Sequence, residues 1–229
     1  MYYSYHYDIY YLLTLVLFVI SLICSGIVKS RFRQYAKDRP RNGMTGGLAA
    51  ERILRANGIT DVKIVPIGGT LTDNYDPTRK TLNLSQRVYG ESSVSAVAVA
   101  AHECGHAIQH AQAYPLLMLR KALVPVCNIG SIGSYIAIIA GLFLQMSGLI
   151  VFGALLFAGI VLFNLVTLPV EVDASRRALA EVERLNILSE EEMKGGRKVL
   201  VAAGMTYFVS LVASIVQLLR LLNLAKRRS

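Results

Sequence analysis

Two histidines and a glutamate occur in the pattern His-Glu-x-x-His, at His102, Glu103 and His106, inside an apolar run that predicts a helix over residues 93–112. Residues four apart lie on the same face of a helix, so both imidazoles can bind one metal ion. Zn²⁺ favours such nitrogen ligands. Glu103 lies about 100° further round the helix, where this motif uses its carboxylate as general base toward a metal-bound water. The spacing predicts a hydrolytic centre that holds one Zn²⁺ per chain.

The alternative is an ordinary buried helix whose two histidines are simply hydrogen-bonded. Against it, three of the chain's four histidines fall on this one predicted helix, at His102, His106 and His110. Small residues precede the motif, so that the helix can pack closely against its neighbours. Cys104 lies inside the motif but points away from the histidines on a regular helix. We expect it to be a small buried hydrophobic side chain.

A catalytic zinc site takes three ligands from the protein and keeps one position open. His110 lies two turns beyond His102, about 12 Å along the axis, which predicts a structural or supporting role rather than ligation. Glu171 is the first charged residue after a long uncharged stretch, and we predict it as the third ligand. A helix N-terminal acid stabilised by the helix dipole is the alternative for Glu171, and Asp173 is its rival as ligand.

The composition predicts a membrane protein with one modest water-facing portion. Of the 229 residues, 54% are hydrophobic and none is Trp, and the mean hydropathy is +0.46. The net charge is +9, and the basic residues cluster beside apolar runs rather than among aromatic residues. That pattern is typical of the cytoplasmic ends of transmembrane helices, so we expect a lipid bilayer and no nucleic acid as partner.

Four apolar segments have the length of a membrane span, at residues 9–28, 123–145, 148–170 and 199–219. A dense basic run from Lys29 to Arg41 follows the first, which predicts an external N-terminus and a cytoplasmic site. Four full crossings would leave the basic C-terminal tail outside, against the positive-inside rule. The fourth segment is therefore either a full crossing with an exceptional tail or a re-entrant or interfacial segment.

Between the first two spans, residues 29–122 predict a small α+β portion. Thr45 can cap a helix that ends near Asn57, a short strand follows over 61–66, and 70–75 with 80–84 form a hairpin before the metal helix. Ser85 can cap the helical turn after the hairpin, and Glu91, Ser92 and Ser93 supply N-terminal caps for the metal helix. Residues 171–198 are predicted as a cytoplasmic helix carrying the third ligand. The whole chain is read as one domain, a mainly α integral-membrane protein.

Four stretches carry a resemblance to a known family: Leu71-Thr72-Asp73-Asn74-Tyr75-Asp76-Pro77, the metal helix over 97–110, Val124-Pro125-Val126, and 168–171 with 175–178. With them the chain resembles the YugP-like family of membrane-bound neutral zinc metallopeptidases. More distantly it is similar to integral-membrane peptidases of the HtpX and CaaX-processing type, which take a zinc ligand from a Glu-x-x-Ala-Asp motif. Glu171 matches that ligand position, whereas Ser175 stands where those relatives carry Asp. Asn74 stands where the nearer family has His, and we assign it no role.

The resemblance implies an integral-membrane zinc endopeptidase in a bacterial cytoplasmic membrane, with a polypeptide substrate and a zincin-like fold around the site. His102, His106 and Glu171 would hold Zn²⁺ and Glu103 would act as general base. The strand over 80–84 could offer its edge to an extended substrate, and the sequence leaves open which edge of the sheet is free. Quality control of membrane proteins and peptide processing both fit this activity. The alternative is a non-catalytic membrane scaffold with a structural zinc site. A transporter is disfavoured by the charge-free pair of spans, and the oligomeric state is left open.

Overall fold

The computed structural model describes residues 9–227, which are mainly helical with one small sheet. In chain order the elements are α1 Ile9–Tyr35, α2 Gly46–Ala56, β1 Lys63–Ile67, β2 Asn74–Asp76, β3 Thr81–Ser85, α3 Gln86–Gly90, α4 Val94–Ala111, α5 Pro115–Phe143, α6 Ser147–Arg184 and α7 Glu190–Lys226. The chain forms two compact units. Among the described residues, the first comprises 9–23, 119–168 and 206–227, and the second comprises 24–118 and 169–205.

Four helices, α1, α5, α6 and α7, are long and apolar enough to cross a membrane, as the sequence predicts. They have 27, 29, 38 and 37 residues, whereas a span needs about 20. Within the first unit small residues let helices approach, since the Ser134 hydroxyl donates to the Gly153 carbonyl over 2.8 Å. α7 runs unbroken from Glu190 to Lys226, without the chain reversal that a re-entrant segment requires.

The predicted single helix over 171–198 is wrong, because a turn divides it between α6 and α7. Asn186 adopts a left-handed conformation with φ 49°, and the N–H of Ile187 donates to the carbonyl of Val182. This is the usual helix end at an Asn that tolerates positive φ. α7 then begins with a capping interaction, because the Glu192 carboxylate accepts from the N–H of Ser189 over 2.7 Å.

The sheet of the second unit has the order β1-β3-β2. The predicted hairpin is present as the antiparallel pair β2–β3, and the Asp76 carboxylate closes its turn by accepting from the N–H groups of Thr78 and Arg79. β3 also pairs with β1, in parallel. The expectation that the 80–84 strand offers a free edge is therefore wrong. β3 is the central strand, and within the described chain the sheet edges are β1 and β2.

α4 lies in the core of the second unit, and 14 of its 18 residues are buried. Its alanines pack against Ala49, Ala50 and Ile53 of α2, all fully buried. Cys104 is buried as expected, and its thiol points to the carbonyl of Ala50 at 3.7 Å. Close packing on this helix holds its side chains in fixed positions.

Two of three predicted N-caps form. Thr45 accepts from the N–H of Leu48, and Ser93 accepts from the N–H of Ala96, each over 3.2 Å. Ser85 precedes α3 but does not cap it with its side chain. Its hydroxyl donates instead to Asp73 over 3.2 Å, and its N–H donates to the same carboxylate over 2.7 Å.

Removing the cap of the metal helix should lower stability. We expect Ser93→Ala to reduce the free energy of unfolding by about 1 kcal/mol, because a buried helix N–H loses its acceptor. Ser92→Ala is the matched control, since the Ser92 hydroxyl is buried without a hydrogen-bond partner, and it should change stability by less than about 0.5 kcal/mol. Thermal unfolding of both variants in detergent measures the difference. Equal shifts would contradict the capping role.

Candidate metal centre

The imidazoles of His102 and His106 lie one turn apart on α4 and face one carboxylate of α6. Their ring centroids are 4.9 Å apart with planes at 81°. The Nε2 atoms of His102 and His106 lie 3.2 and 3.5 Å from Oε2 of Glu171. One ligand atom from each residue falls within 4.8 Å of the others, the one such cluster among residues 9–227. The three predicted ligands are thus brought together, and Asp173 and His110 lie outside the cluster.

The cluster is largely buried. Glu171 is 2% exposed, and the side chain of His102 is the most accessible of the three at 15%. Burial raises the pKa of Glu171, but hydrogen bonds and charge interactions with both imidazoles outweigh it and lower the pKa below the ordinary value. For His106 burial lowers the pKa, and the Glu171 carboxylate raises it overall. Because the His102 side chain is the most exposed of the three, the accessible side of the centre is at His102.

A glycine permits the close approach of α4 to α6. A Cβ on Gly105 would lie 2.4 Å from the carbonyl oxygen of Ala174, closer than real contacts allow. Ala174 follows Glu171 by nearly one turn, as Gly105 follows His102. The missing side chain thus sets the distance between the ligating faces. Glycine in an alanine-rich helix costs about 1 kcal/mol relative to alanine, and that cost is a sequence signal from which a packing role of Gly105 could have been predicted.

The second nitrogen of each histidine has a partner that fixes its orientation. Nδ1 of His102 lies 3.1 Å from the hydroxyl of Ser175, and Nδ1 of His106 lies 3.0 Å from Oε1 of Gln109. The Gln109 amide nitrogen donates to the carbonyl of Val170 and to Asp173, each over 2.9 Å. The Gln109 oxygen must therefore accept, so His106 carries a proton on Nδ1, and Nε2 is the nitrogen that faces the cluster and can bind a metal ion when it is deprotonated.

Asp173 is held by a network of its own. Its carboxylate accepts from Gln109, from Arg176 over 2.8 Å and from Arg177 over 2.5 Å. Arg177 also donates to Gln112 over 2.6 Å. Burial raises the pKa of Asp173, but these hydrogen bonds keep it below its ordinary value. Asp173 thus supports the Gln109 amide that orients His106. The role of Gln109 was not predicted, because no local sequence pattern distinguishes this residue.

Glu103 projects from α4 beside the cluster. Burial raises its pKa, with the nearby carboxylates of Glu171 and Asp73 adding to the shift and the two imidazoles opposing it. No hydrogen bond from the part of the chain that the structure describes occupies its carboxylate. A buried carboxylate with raised proton affinity, next to two imidazoles, is suited to accept a proton.

His110 contacts the sheet instead of the cluster. Its Nδ1 lies 2.8 Å from the hydroxyl of Tyr75 on β2. Burial, with the charges of Asp61 and Asp76, raises the pKa of Tyr75 to about 12. The pair ties the metal helix to the edge strand. Asn74, on the same strand, accepts from Asn83 of β3 over 2.9 Å and so belongs to the hairpin.

Fold and site together define a protein with four candidate membrane helices and a His-Glu-x-x-His helix facing a glutamate. The family described as "Putative neutral zinc metallopeptidase" matches residues 10–226, and the chain belongs to that family. It is similar to "Putative membrane protease YugP" of Bacillus subtilis (strain 168), with 44% identity over 193 residues, 84% of this chain and 86% of the relative. No solved structure matches. The resemblance to the YugP-like family inferred from the motifs is confirmed.

Adding a methyl group at the helix crossing should separate the ligands. We expect Gly105→Ala to destabilise the protein by about 2 kcal/mol and to lower its zinc content, because the new Cβ meets backbone that cannot rotate away. Gly204→Ala is the control, since nothing lies within 4 Å of its added Cβ. Thermal unfolding and metal analysis of both variants test this. Native zinc content in Gly105→Ala would contradict it.

Loss of the Gln109 amide should weaken metal binding without unfolding the chain. We expect Gln109→Leu to reduce zinc affinity about 10–100-fold, because His106 loses the acceptor that orients it. Gln112→Leu is the control, since Gln112 contacts Arg177 in the same network but neither histidine. Competition with a chelator measures both affinities. Equal losses in the two variants would mean that the network acts through general stability.

Proposed function

We propose that this protein is an integral-membrane zinc endopeptidase. The observation that carries the proposal is the convergence of two Nε2 atoms and one carboxylate oxygen within 4.8 Å. Glu103, whose carboxylate has no hydrogen bond from residues 9–227, lies on the helix that supplies both nitrogens. Membership of a zinc metallopeptidase family and similarity to a protein named as a membrane protease support the same activity.

The donor set fits Zn²⁺. Two imidazole nitrogens and one glutamate oxygen are the three protein ligands of a common class of catalytic zinc site, which keeps a fourth position for water or substrate. Ser175 and Gln109 hold the second nitrogens, as expected for metal-binding histidines. His102, His106 and Glu171 would hold one Zn²⁺ per chain. When bound, the ion lowers the pKa of a water molecule and polarises the scissile carbonyl.

Glu103 transfers the proton in the proposed reaction. Its carboxylate accepts a proton from the attacking water and delivers it to the nitrogen of the departing amine. Burial of Glu103 favours the protonated form that the second half of this transfer needs. His102 and His106 keep their orientation throughout, because Ser175 and Gln109 hold them from behind.

The proposed substrate is an extended polypeptide. It would pair with β2 and not with β3, because β3 is the central strand. β2 is an edge of the sheet, and the Tyr75–His110 contact holds it against the metal helix. A substrate strand added along β2 would satisfy the open backbone groups of that edge. Both quality control of membrane proteins and processing of a peptide use such a substrate.

The proposed location is a bacterial cytoplasmic membrane, with several crossings and the site on the cytoplasmic face. The basic run that follows the apolar part of α1 supports this orientation. The unbroken α7 favours a full crossing by residues 199–219 over a re-entrant segment. The bilayer and the polypeptide substrate are the proposed partners, and no nucleic acid is among them.

Two glutamate variants separate catalysis from metal binding. We expect Glu103→Gln to retain zinc while cleavage of an unfolded test protein falls at least about 100-fold, because the general base is lost. We expect Glu171→Gln to lose zinc and therefore activity. The measurements are metal content and proteolysis by the full chain in detergent.

Glu183→Gln, an exposed change on the same helix as Glu171, is the control and should leave both properties unchanged. Native zinc content in Glu171→Gln would refute the ligand assignment. A native chain that holds zinc but cleaves no peptide bond, alongside an equally inert Glu103→Gln, would favour the scaffold over the peptidase.

A further inference from the structure

A cavity of about 350 Å³ lies in the second unit, where α1 passes the loop before β2. Its lining comes from α1, this loop and α3, and consists of Lys29, Phe32, Arg33, Thr70, Leu71 and Arg87. Three of these six residues are cations and none is an acid. The cavity is separate from the metal centre, because no residue of that centre lines it.

The positive charges of this cavity are largely uncompensated. Lys29 and Arg33 are four residues apart on α1, and within residues 9–227 neither has a hydrogen bond or an ion pair. Like charges at this spacing repel each other. Arg87 uses only Nε, which donates to Glu91 over 3.0 Å, and its remaining guanidinium donors are unoccupied. An anion in the cavity would relieve the repulsion.

The backbone that carries these cations is held in place by the core. Phe32 is 3% exposed and packs in the main hydrophobic cluster together with Tyr35, which fixes the rotation of α1. Leu71, at φ 57°, packs partly against the same cluster. The cavity therefore has an apolar floor, made by Phe32 and Leu71, beneath a cationic opening. Such a lining suits an amphiphilic anion better than a free inorganic one.

The position of the cavity along α1 indicates where that anion comes from. Lys29 is the first charged residue after the apolar run over 9–28, so it stands where that run would leave the hydrocarbon layer. Phosphate groups of lipids occupy this level, and basic pockets beside membrane helices bind anionic headgroups. A lipid can reach the cavity in this way if α1 crosses the membrane, whether or not the protein is a peptidase.

We propose that this cavity binds the phosphate of an anionic phospholipid. Lys29 and Arg33 neutralise the phosphate from α1, and Arg87 donates to it from α3. The Thr70 hydroxyl at the cavity wall is a further donor. Phe32 and Leu71 contact the apolar part of the lipid next to its headgroup.

The test is titration of the full chain in detergent with short-chain phosphatidylglycerol, and with phosphatidylcholine of the same chain length. We expect saturable binding of the first and weak binding of the second. Replacing all three cations, in Lys29→Gln/Arg33→Gln/Arg87→Gln, should weaken phosphatidylglycerol binding about 100-fold, because three basic contacts to the phosphate are lost. The three side chains are exposed, so the variant should keep its native unfolding temperature and zinc content.

A matched variant separates a specific site from general surface charge. Arg31→Gln/Lys37→Gln/Arg39→Gln removes the same charge from the same basic run but touches no residue that lines the cavity. It should keep phosphatidylglycerol affinity within about threefold. Equal weakening by both triple variants, or no saturable binding by the native chain, would overturn the proposal. Inorganic phosphate is the third titrant, and binding of phosphate as tight as that of the lipid would make this a free-anion site instead.

Discussion

The carboxylate of Glu171 is nearly inaccessible to water, and a buried charge of this kind persists only when other groups compensate it. Two imidazoles do so directly, at 3.2 and 3.5 Å. They reach it only because Gly105 lets α4 lie against the backbone of α6 at Ala174. The contact joins residues 69 positions apart in the chain. The second unit is arranged so that this one contact can form.

The surroundings of α4 serve that contact by making the helix rigid. Alanines and Cys104 pack against α2 on one side, and His110 meets Tyr75 of β2 on another. Ser93 caps its first turn. A site that rests on a helix packed on most of its faces holds its side chains more accurately than a site on a loop. The hydrogen-bond chain from Arg177 through Asp173 and Gln109 to His106 extends the same rigidity from α6.

The four candidate membrane helices and the metal centre have different physical requirements. The apolar segments need only length and hydrophobicity, and large side chains such as Ile129 and Phe143 remain exposed on them. The centre needs buried polar groups, each with its own partner. The chain leaves the second unit after Met118 and returns at Pro169, shortly before Glu171. Its charge-free stretch thus separates two parts of one polar site.

The sequence by itself determined the features that depend on local spacing. The i, i+4 pair of histidines, the four apolar segments, the caps at Thr45 and Ser93 and the hairpin turn are all local, and periodicity or turn chemistry predicts them. Glu171 could be singled out because it is the first charge after an uncharged stretch. Its closeness to the histidines was a hypothesis until the tertiary structure placed them together.

Only the tertiary structure decided which distant groups meet. The parallel pairing of β1 with β3 made β3 the central strand, a pairing between segments that no local pattern encodes. The Ser85 hydroxyl donates a hydrogen bond to Asp73 and does not cap α3, because Asp73 lies across the hairpin. Gln109, Ser175 and Gly105 acquired their roles from α4 and α6 lying against each other. Hydrogen bonds and close contacts of this kind depend on positions in space, and sequence separation says little about them.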